Sequence, residues 1–356
     1  MELMIRLERV RGFLRSKGLD AVYISAMKNV RYLTGFTGSS GFVLITRNRG
    51  LFFTDFRYRE QAGKEVGGYE LGIERGKRIR LLGALVKKMG IRKLCFETTL
   101  PYESYELLKE LPATPVPARN IIEDLRKIKD EEEISNIREA AERAERAFLK
   151  IKPRIRAGVR EREIALRLEE QLRKAGCRSI PFDIIVASGE NAAMPHAKPT
   201  ERKIEKGDFV IIDWGGEANG YYSDMTRTLL MAGAAPSEKI RIYDTVDNAR
   251  KKAVEAVRKG ATTRGVDHAA RSVIQKAGYG EFFGHGTGHG VGLDVHENPR
   301  VSFAQSERVR NGMVFTIEPG IYIPGLGGVR IEDMVVVRGD RAVLLTTLGR
   351  GLEIIK

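Results

Sequence analysis

Residues 213–224 read DWGGEANGYYSD, a short glycine-containing turn with an aspartate at each end. The preceding residues, DFVIIDW, are apolar and β-branched, and the following YYSDMTRTLLM is aromatic and threonine-rich. Two such stretches around turn chemistry predict a β-hairpin. A turn centred between Ala218 and Asn219 sets Asp213 directly opposite Asp224. Directly opposed side chains lie roughly 4.5–5.5 Å apart at Cβ, and like charges there destabilise the pair. The same oddity recurs in TIEPGIYIPGLGGVRIEDMVVV, where Glu318 and Glu332 are equidistant from Gly325. Both registers assume symmetric turns without bulges. A fold that twice sets acid against acid among apolar strands needs something to cancel the repulsion, and a bound cation would do so.

The chain has five histidines, His196, His268, His285, His289 and His296, and three of them fall within GHGTGHGVGLDVHE. Glycines between His285 and His289 disfavour a helix, so this segment is expected to be extended and closely packed. Spacing alone does not choose between these two histidines as a ligand. Four carboxylates with an imidazole form a hard, oxygen-rich set suited to two divalent ions sharing carboxylates. Manganese or cobalt fits best, and zinc or iron also fits. Two such ions roughly 3.5–4 Å apart activate water and polarise a carbonyl, which is metal-assisted hydrolysis.

The remaining features bound the setting. The 356 residues suggest two domains. A net charge of +14 would suit nucleic acid or acidic partners, but the basic residues are spread along the chain and interleaved with acids, as in KIKDEEEISNIREAAERAER. No zinc-finger, helix-turn-helix or RNP-type signature accompanies them, so the excess reads as solvated surface. Cys95 and Cys177, far apart in sequence, offer no disulfide framework. The N-terminal segment is a charged amphipathic helix without an apolar signal core, and no apolar run approaches the roughly 20 residues a membrane span needs. A soluble, cytoplasmic protein without membrane or nucleic-acid partners is the expectation.

Along residues 1–122, helix and strand patterns alternate, as in an α/β domain. ATPVPA near its end reads as a proline-rich break, and TDFRYREQA as a strand end running into a helix. A new block starts at residues 123–133, and residues 134–356 read helix, helix, strands, helix, helix, strands. That order suggests a duplicated ααββ unit in which each copy contributes one acidic hairpin to a site near a pseudo-twofold axis.

The ordered set SGENAAMPH, DWGGEANGYYSDMTRT, GHGTGHGVGLDVHE, TIEPGIY and GGVRIED closely resembles the pita-bread metallopeptidases, in the aminopeptidase P and prolidase branch. NVRYLTGFTGSSG and TDFRYREQA resemble the creatinase-type N-terminal domain of bacterial aminopeptidase P relatives. The resemblance spans nearly the whole chain. It implies a creatinase-like N-terminal domain at residues 1–122 and a pita-bread catalytic domain at residues 123–356. It also implies five metal ligands, Asp213, Asp224, His289, Glu318 and Glu332, and so selects His289 over His285. Glu318 would act as general base while ligating. His196 and His296 would contact the scissile region and handle protons. His285 would line the proline-side pocket, and Arg330 would lie near the ligand carboxylates and substrate.

The activity implied is a dinuclear-metal exopeptidase that cuts the Xaa-Pro bond at peptide N-termini, with an Xaa-Pro dipeptidase as the alternative. PHAKPTERK departs from the glycine-containing version found after this histidine in bacterial relatives, which bears on substrate length. A homodimer is also implied. Methionine aminopeptidases share the five ligands but usually lack the N-terminal domain, and creatinase keeps the shape without the ligands. A metal-free binding protein for nucleic acid or a protein partner would suit the charge, but relatives of that kind typically lose ligands.

Overall fold

The computed structural model describes residues 2–233 and 237–356 and divides into two compact units, Met1–Arg126 and Lys127–Lys356. The first contains α1 (Glu2–Ser16), β1 (Ala21–Ile24), α2 (Met27–Thr34), β2 (Phe42–Thr46), β3 (Gly50–Thr54), α3 (Arg59–Glu65), β4 (Glu70–Ile73), α4 (Arg78–Lys88), β5 (Lys93–Glu97), α5 (Tyr102–Lys109), β6 (Thr114–Ala118) and α6 (Glu123–Arg126). Six strands form one sheet in the order β4-β3-β2-β1-β5-β6. Phe42, Leu44 and Phe96 pack with Leu82, Val86 and Leu108 of the helices in one apolar core.

ATPVPA is not a break. It contains β6, which pairs parallel with β5 at the sheet edge. Thr114 N–H donates to Arg92 O at 2.8 Å, so the alternate positions, Pro115 and Pro117, turn away from the ladder. Proline is tolerated on such an edge because its missing N–H is not required there.

The second unit opens with α7 (Glu131–Ile151) and α8 (Glu161–Lys174), followed by β7 (Ile185–Ser188), β8 (Phe209–Trp214), β9 (Glu217–Ala218), β10 (Tyr221–Tyr222) and β11 (Met225–Met231). A second helix pair, α9 (Ser237–Ala256) and α10 (Thr263–Lys276), leads to β12 (Gly288–Gly290), β13 (Glu297–Val301), β14 (Val314–Ile317), β15 (Gly320–Ile323), β16 (Gly327–Arg330), β17 (Asp333–Arg338), β18 (Arg341–Leu344) and β19 (Glu353–Ile355). Two helices followed by strands thus occur twice. The strands form sheets in the orders β19-β11-β8-β7 and β13-β12-β14-β17-β18, with two-stranded ribbons β10-β9 and β15-β16.

Helix α7 starts at a capping box between Asp130 and Glu133, an arrangement that satisfies two orphan backbone donors. Its buried face includes Ile137, Ala141, Ala144 and Phe148. Trp214 stacks on Phe148 at 4.6 Å, and its indole N–H donates to Ala144 O at 3.0 Å. This contact fixes the end of β8 one residue after Asp213. In the other half, Val246 and Ala249 of α9 and Val266 and Ala270 of α10 pack with Phe315, Ile317 and Val335.

The first hairpin corrects the expected register. Ala218 pairs with Tyr221, Trp214 with Met225, and Asp213 with Thr226 rather than Asp224. The turn residues are Asn219 and Gly220, with φ of 49° and 77°. An Asn-Gly pair with both φ positive is the preferred two-residue hairpin turn, and it moves the centre by one residue from the assumed position. Asp224 stands two residues from Thr226 and is therefore diagonal to Asp213. The second hairpin keeps its expected register. Ile317 pairs with Asp333 and Gly320 with Arg330, so Glu318 stands opposite Glu332. Between those pairs the strands part. Glu318 N–H donates to Thr287 O at 2.8 Å and Glu332 N–H to Thr226 O at 3.1 Å.

Candidate metal centre

Asp213, Asp224, His289, His296, Glu318 and Glu332 converge in three overlapping groups. These are Asp213 with Asp224 and Glu332, His289 with Glu318 and Glu332, and Asp224 with His289 and His296. In each group the ligand atoms all lie within 4.8 Å of one another. Asp224, His289 and Glu332 each belong to two groups.

The glycines around His289 make this convergence possible. A Cβ at Gly288 would overlap Thr316 O, and one at Gly290 would overlap Asn298 O. His289 therefore rides on an extended strand, β12, clasped between β13 and β14. Its Nδ1 lies 3.2 Å from Gly290 O, which accepts the ring proton. Nε2 then presents a lone pair to Asp224 Oδ2 at 3.5 Å and Glu318 Oε1 at 3.3 Å. Burial pushes the imidazole down to about 4, so at neutral pH it carries no charge to offset those oxygens.

Two buried carboxylate oxygens, Asp213 Oδ1 and Glu332 Oε1, have no hydrogen-bond partner. Buried polar atoms in folded proteins are nearly always satisfied, and an orphan calls for an explanation such as an ion. Burial pushes the Asp224 and Glu332 carboxyls well up, reinforced by their acidic neighbours. Glu318 is raised mainly by burial, against the opposing pull of His285 and Arg330. Orphaned oxygens, a neutral imidazole facing carboxylates, and acids crowded in a buried space together fit divalent cations.

Arg330 is the built-in counter-charge. Its guanidinium donates to Asp213 Oδ2 at 2.7 Å, Thr226 Oγ1 at 3.0 Å, Tyr322 Oη at 2.8 Å and Pro195 O at 3.1 Å. Thr226 in turn donates to Glu332 Oε2 at 2.7 Å. Thr226 thus joins the arginine to one carboxylate while the arginine grips another. His285 is already occupied. Its Nδ1 faces Gly286 O at 2.8 Å, and its Nε2 accepts from Tyr322 Oη at 2.9 Å. It flanks the acidic cluster without entering it.

A cavity of about 780 Å³ opens onto the cluster. His196, His285 and His296 line it, with Ile184 and Ile185 on an apolar side and Lys198 and Arg300 among its cations. His196 and His296 are exposed, and the His296 ring centroid lies 4.3 Å from that of His289. Arg300 is exposed, and its side chain makes no hydrogen bond or ion pair with other described residues. Behind His296, buried Lys129 Nζ pairs with Glu297 Oε1 at 2.6 Å and anchors the strand that follows. Thr226 and Tyr322 lie inside the DWGGEANGYYSDMTRT and TIEPGIY motifs without being singled out there, and Lys129 and Arg300 lie outside every motif. The signals that could have found the first two are a threonine two residues beyond a candidate acid and a tyrosine that closes the second acidic motif.

Residues 135–339 match Metallopeptidase family M24, and residues 6–128 match the Creatinase/Prolidase N-terminal domain. The chain belongs to metallopeptidase family M24. It is 38% identical to an Xaa-Pro dipeptidase of Pyrococcus horikoshii over 98% of both chains. Its fold matches the solved Xaa-Pro dipeptidase from Bacillus anthracis with a TM-score of 0.96 and 43% identity, over 99% of this chain and 100% of that one. It also matches the X-Pro aminopeptidase from Thermotoga maritima with a TM-score of 0.89 and 36% identity, over 95% and 98% of the two chains. The two-unit fold is therefore the creatinase-type domain followed by the pita-bread domain, and the protein is a metallopeptidase. No helix among the described residues is long and apolar enough to cross a membrane.

Proposed function

We propose that this metallopeptidase hydrolyses the bond between an N-terminal residue and proline, with two divalent ions held by Asp213, Asp224, His289, Glu318 and Glu332. Manganese or cobalt suits a set of four carboxylates and one imidazole. Asp213, Asp224 and Glu332 would hold one ion, and His289, Glu318, Asp224 and Glu332 the other. The ions, when bound, supply an activated water and polarise the carbonyl under attack.

The chain's own groups do the rest. Glu318 receives the proton of the attacking water at a carboxylate oxygen, a role helped by the burial that raises its pKa. His296 and His196, facing the cavity, hold the substrate carbonyl and deliver a proton to the departing proline nitrogen. Burial lowers the pKa of His296, so its protonated form gives up the proton readily. His285 and the apolar wall form the proline side. A tertiary Xaa-Pro amide brings no N–H into this space, so none is left unsatisfied there. Arg330, committed to Asp213 and Thr226, balances charge and orients ligands rather than gripping substrate.

Substrate length turns on one observation: the unpaired guanidinium of Arg300 beside the cluster, with Lys198 on the same cavity. A cation there suits the free carboxylate of a dipeptide, which lies close to its proline. This favours Xaa-Pro dipeptidase activity over removal of a residue from longer peptides. The test is cleavage of Ala-Pro and Ala-Pro-Ala by the manganese- or cobalt-loaded protein, read by mass spectrometry. Ala-Pro should be cut far faster. Preferential cutting of the tripeptide would restore the aminopeptidase reading, and no cutting of either would refute the activity.

A further inference from the structure

Glu161, the first residue of α8, is fully buried, yet no lysine, arginine or histidine pairs with it among the described residues. Its carboxylate instead collects neutral donors from the two ends of one loop. Oε1 accepts from Ser188 N at 2.6 Å and Ser188 Oγ at 2.8 Å. Oε2 accepts from Thr200 N at 3.0 Å and Thr200 Oγ1 at 2.6 Å. Asn191 Nδ2 bridges both oxygens at 3.2 and 3.1 Å. Ser188 ends β7, and Thr200 closes the segment that carries His196 and Lys198. The middle of that segment is pinned from the metal side by Arg330, through Pro195 O. Its first half lies on the second acidic hairpin so closely that a Cβ at Gly328 would overlap Ala192 O.

We infer that Glu161 is a positioning residue that cinches residues 188–200 into a preformed wall and thereby fixes His196 over the reacting bond. The inference rests on the role given to His196 above. A carboxylate is required because every donor around it points inward. Replacing either oxygen by an amide NH2 sets donor against donor, at Ser188 or at Thr200. Glu161→Gln should therefore free the loop whichever way the new amide turns.

The experiment compares wild type, E161Q, H196A and the double variant, all loaded with manganese. Hydrogen exchange by mass spectrometry should show faster exchange confined to residues 188–200 in E161Q, with manganese stoichiometry unchanged. On Ala-Pro, E161Q should lower kcat/KM by about tenfold or more, but by less than about threefold when His196 is already alanine, because coupled residues are not additive. Unchanged exchange would overturn the clamp. Equal losses in both backgrounds would overturn the positioning of His196, as would an H196A variant with wild-type kcat/KM. Failure of the wild type to cut any Xaa-Pro substrate would refute the proposed activity while leaving the exchange result standing. If E161Q does not fold, T200V removes one hydroxyl donor and should show the same pattern at lower amplitude.

Discussion

Thr226→Val isolates how much the hydroxyl between Arg330 and Glu332 contributes to metal binding. Thr226 is fully buried on β11, and valine keeps its shape, β-branching and strand preference. What disappears is a donor to Glu332 Oε2 at 2.7 Å and an acceptor for Arg330 Nε at 3.0 Å. A hydrogen bond to a charged group contributes about 1.5–3 kcal/mol. Losing the one to Glu332 lets that carboxylate swing, and Glu332 belongs to both of the groups that would share it. Since each 1.4 kcal/mol is tenfold, the expected loss of metal affinity is about 10- to 150-fold. That range overlaps the roughly 10- to 100-fold typical when a group supporting a metal ligand is removed. Manganese titration of metal-free protein by calorimetry reads it directly. Urea unfolding of the metal-free form reports separately on the stranded guanidinium. A Kd within about twofold of wild type would refute the reasoning, because Glu332 would then be held by something other than Thr226.

Other expectations follow from the same contacts. In the metal-free protein, Asp224, Glu318 and Glu332 have raised pKa values, so their contribution to stability is present at low pH and lost as pH rises through those values. Thermal scans with manganese or with chelator should diverge increasingly on going from pH 4.5 to 7.5; a constant gap would contradict this. Asp333, fully buried, accepts from Arg227 at 2.9 Å, Arg250 at 3.2 Å and Arg350 at 2.8 Å. D333N should cost about 3–5 kcal/mol in urea unfolding, since it leaves buried guanidinium charges uncompensated. Burial raises the Asp333 pKa, but the arginines outweigh it and the net shift is downward. Its stabilisation therefore holds above the ordinary carboxylate range and fades only as pH falls through the lowered value. R300A should raise KM for Ala-Pro by about 10- to 150-fold with little change in kcat, the loss of one charge-assisted contact; steady-state kinetics with an unchanged KM would remove Arg300 from substrate binding.

The acids were legible in the sequence because a period of two in strands converts spacing into facing side chains. The symmetric PGLGG turn made this reliable for Glu318 and Glu332. The first hairpin lies one residue off the symmetric register, because Asn219-Gly220 sets the turn and not Ala218-Asn219. Asp213 and Asp224 still meet, since a diagonal on one face is also within reach of a shared ion. The network behind them was not legible. Whether a threonine such as Thr226 serves a carboxylate, or a tyrosine such as Tyr322 occupies His285, depends on which strands lie alongside, and local sequence does not state it. Two prolines concealed β6 for a similar reason, since only its edge position makes them harmless. The choice between His285 and His289 has a structural reason that spacing lacks. Tyr322 already donates to Nε2 of His285, whereas Nε2 of His289 faces carboxylate oxygens of Asp224 and Glu318.

Charge balance connects these details to the number of ions. Asp213, Asp224, Glu318 and Glu332, when ionised, bring four negative charges into a buried space, and Arg330 returns one positive charge. The histidines add none at neutral pH if they stay neutral, as the lowered pKa values of His285, His289 and His296 favour. The remainder is three negative charges, which burial makes costly. One divalent cation would leave one negative charge uncompensated and would still repel an anionic group. Two leave a single positive charge, which an anionic nucleophile or the carboxylate of a dipeptide can neutralise. The structure offers three overlapping groups of ligand atoms, any two of which share one residue, Asp224, His289 or Glu332, and such overlap suits a pair of ions better than a single one. Arg330 therefore sets the sign of the residual charge, not the number of ions. Without its charge, two divalent cations would balance the four carboxylates completely and leave no electrostatic pull for an anion at the site.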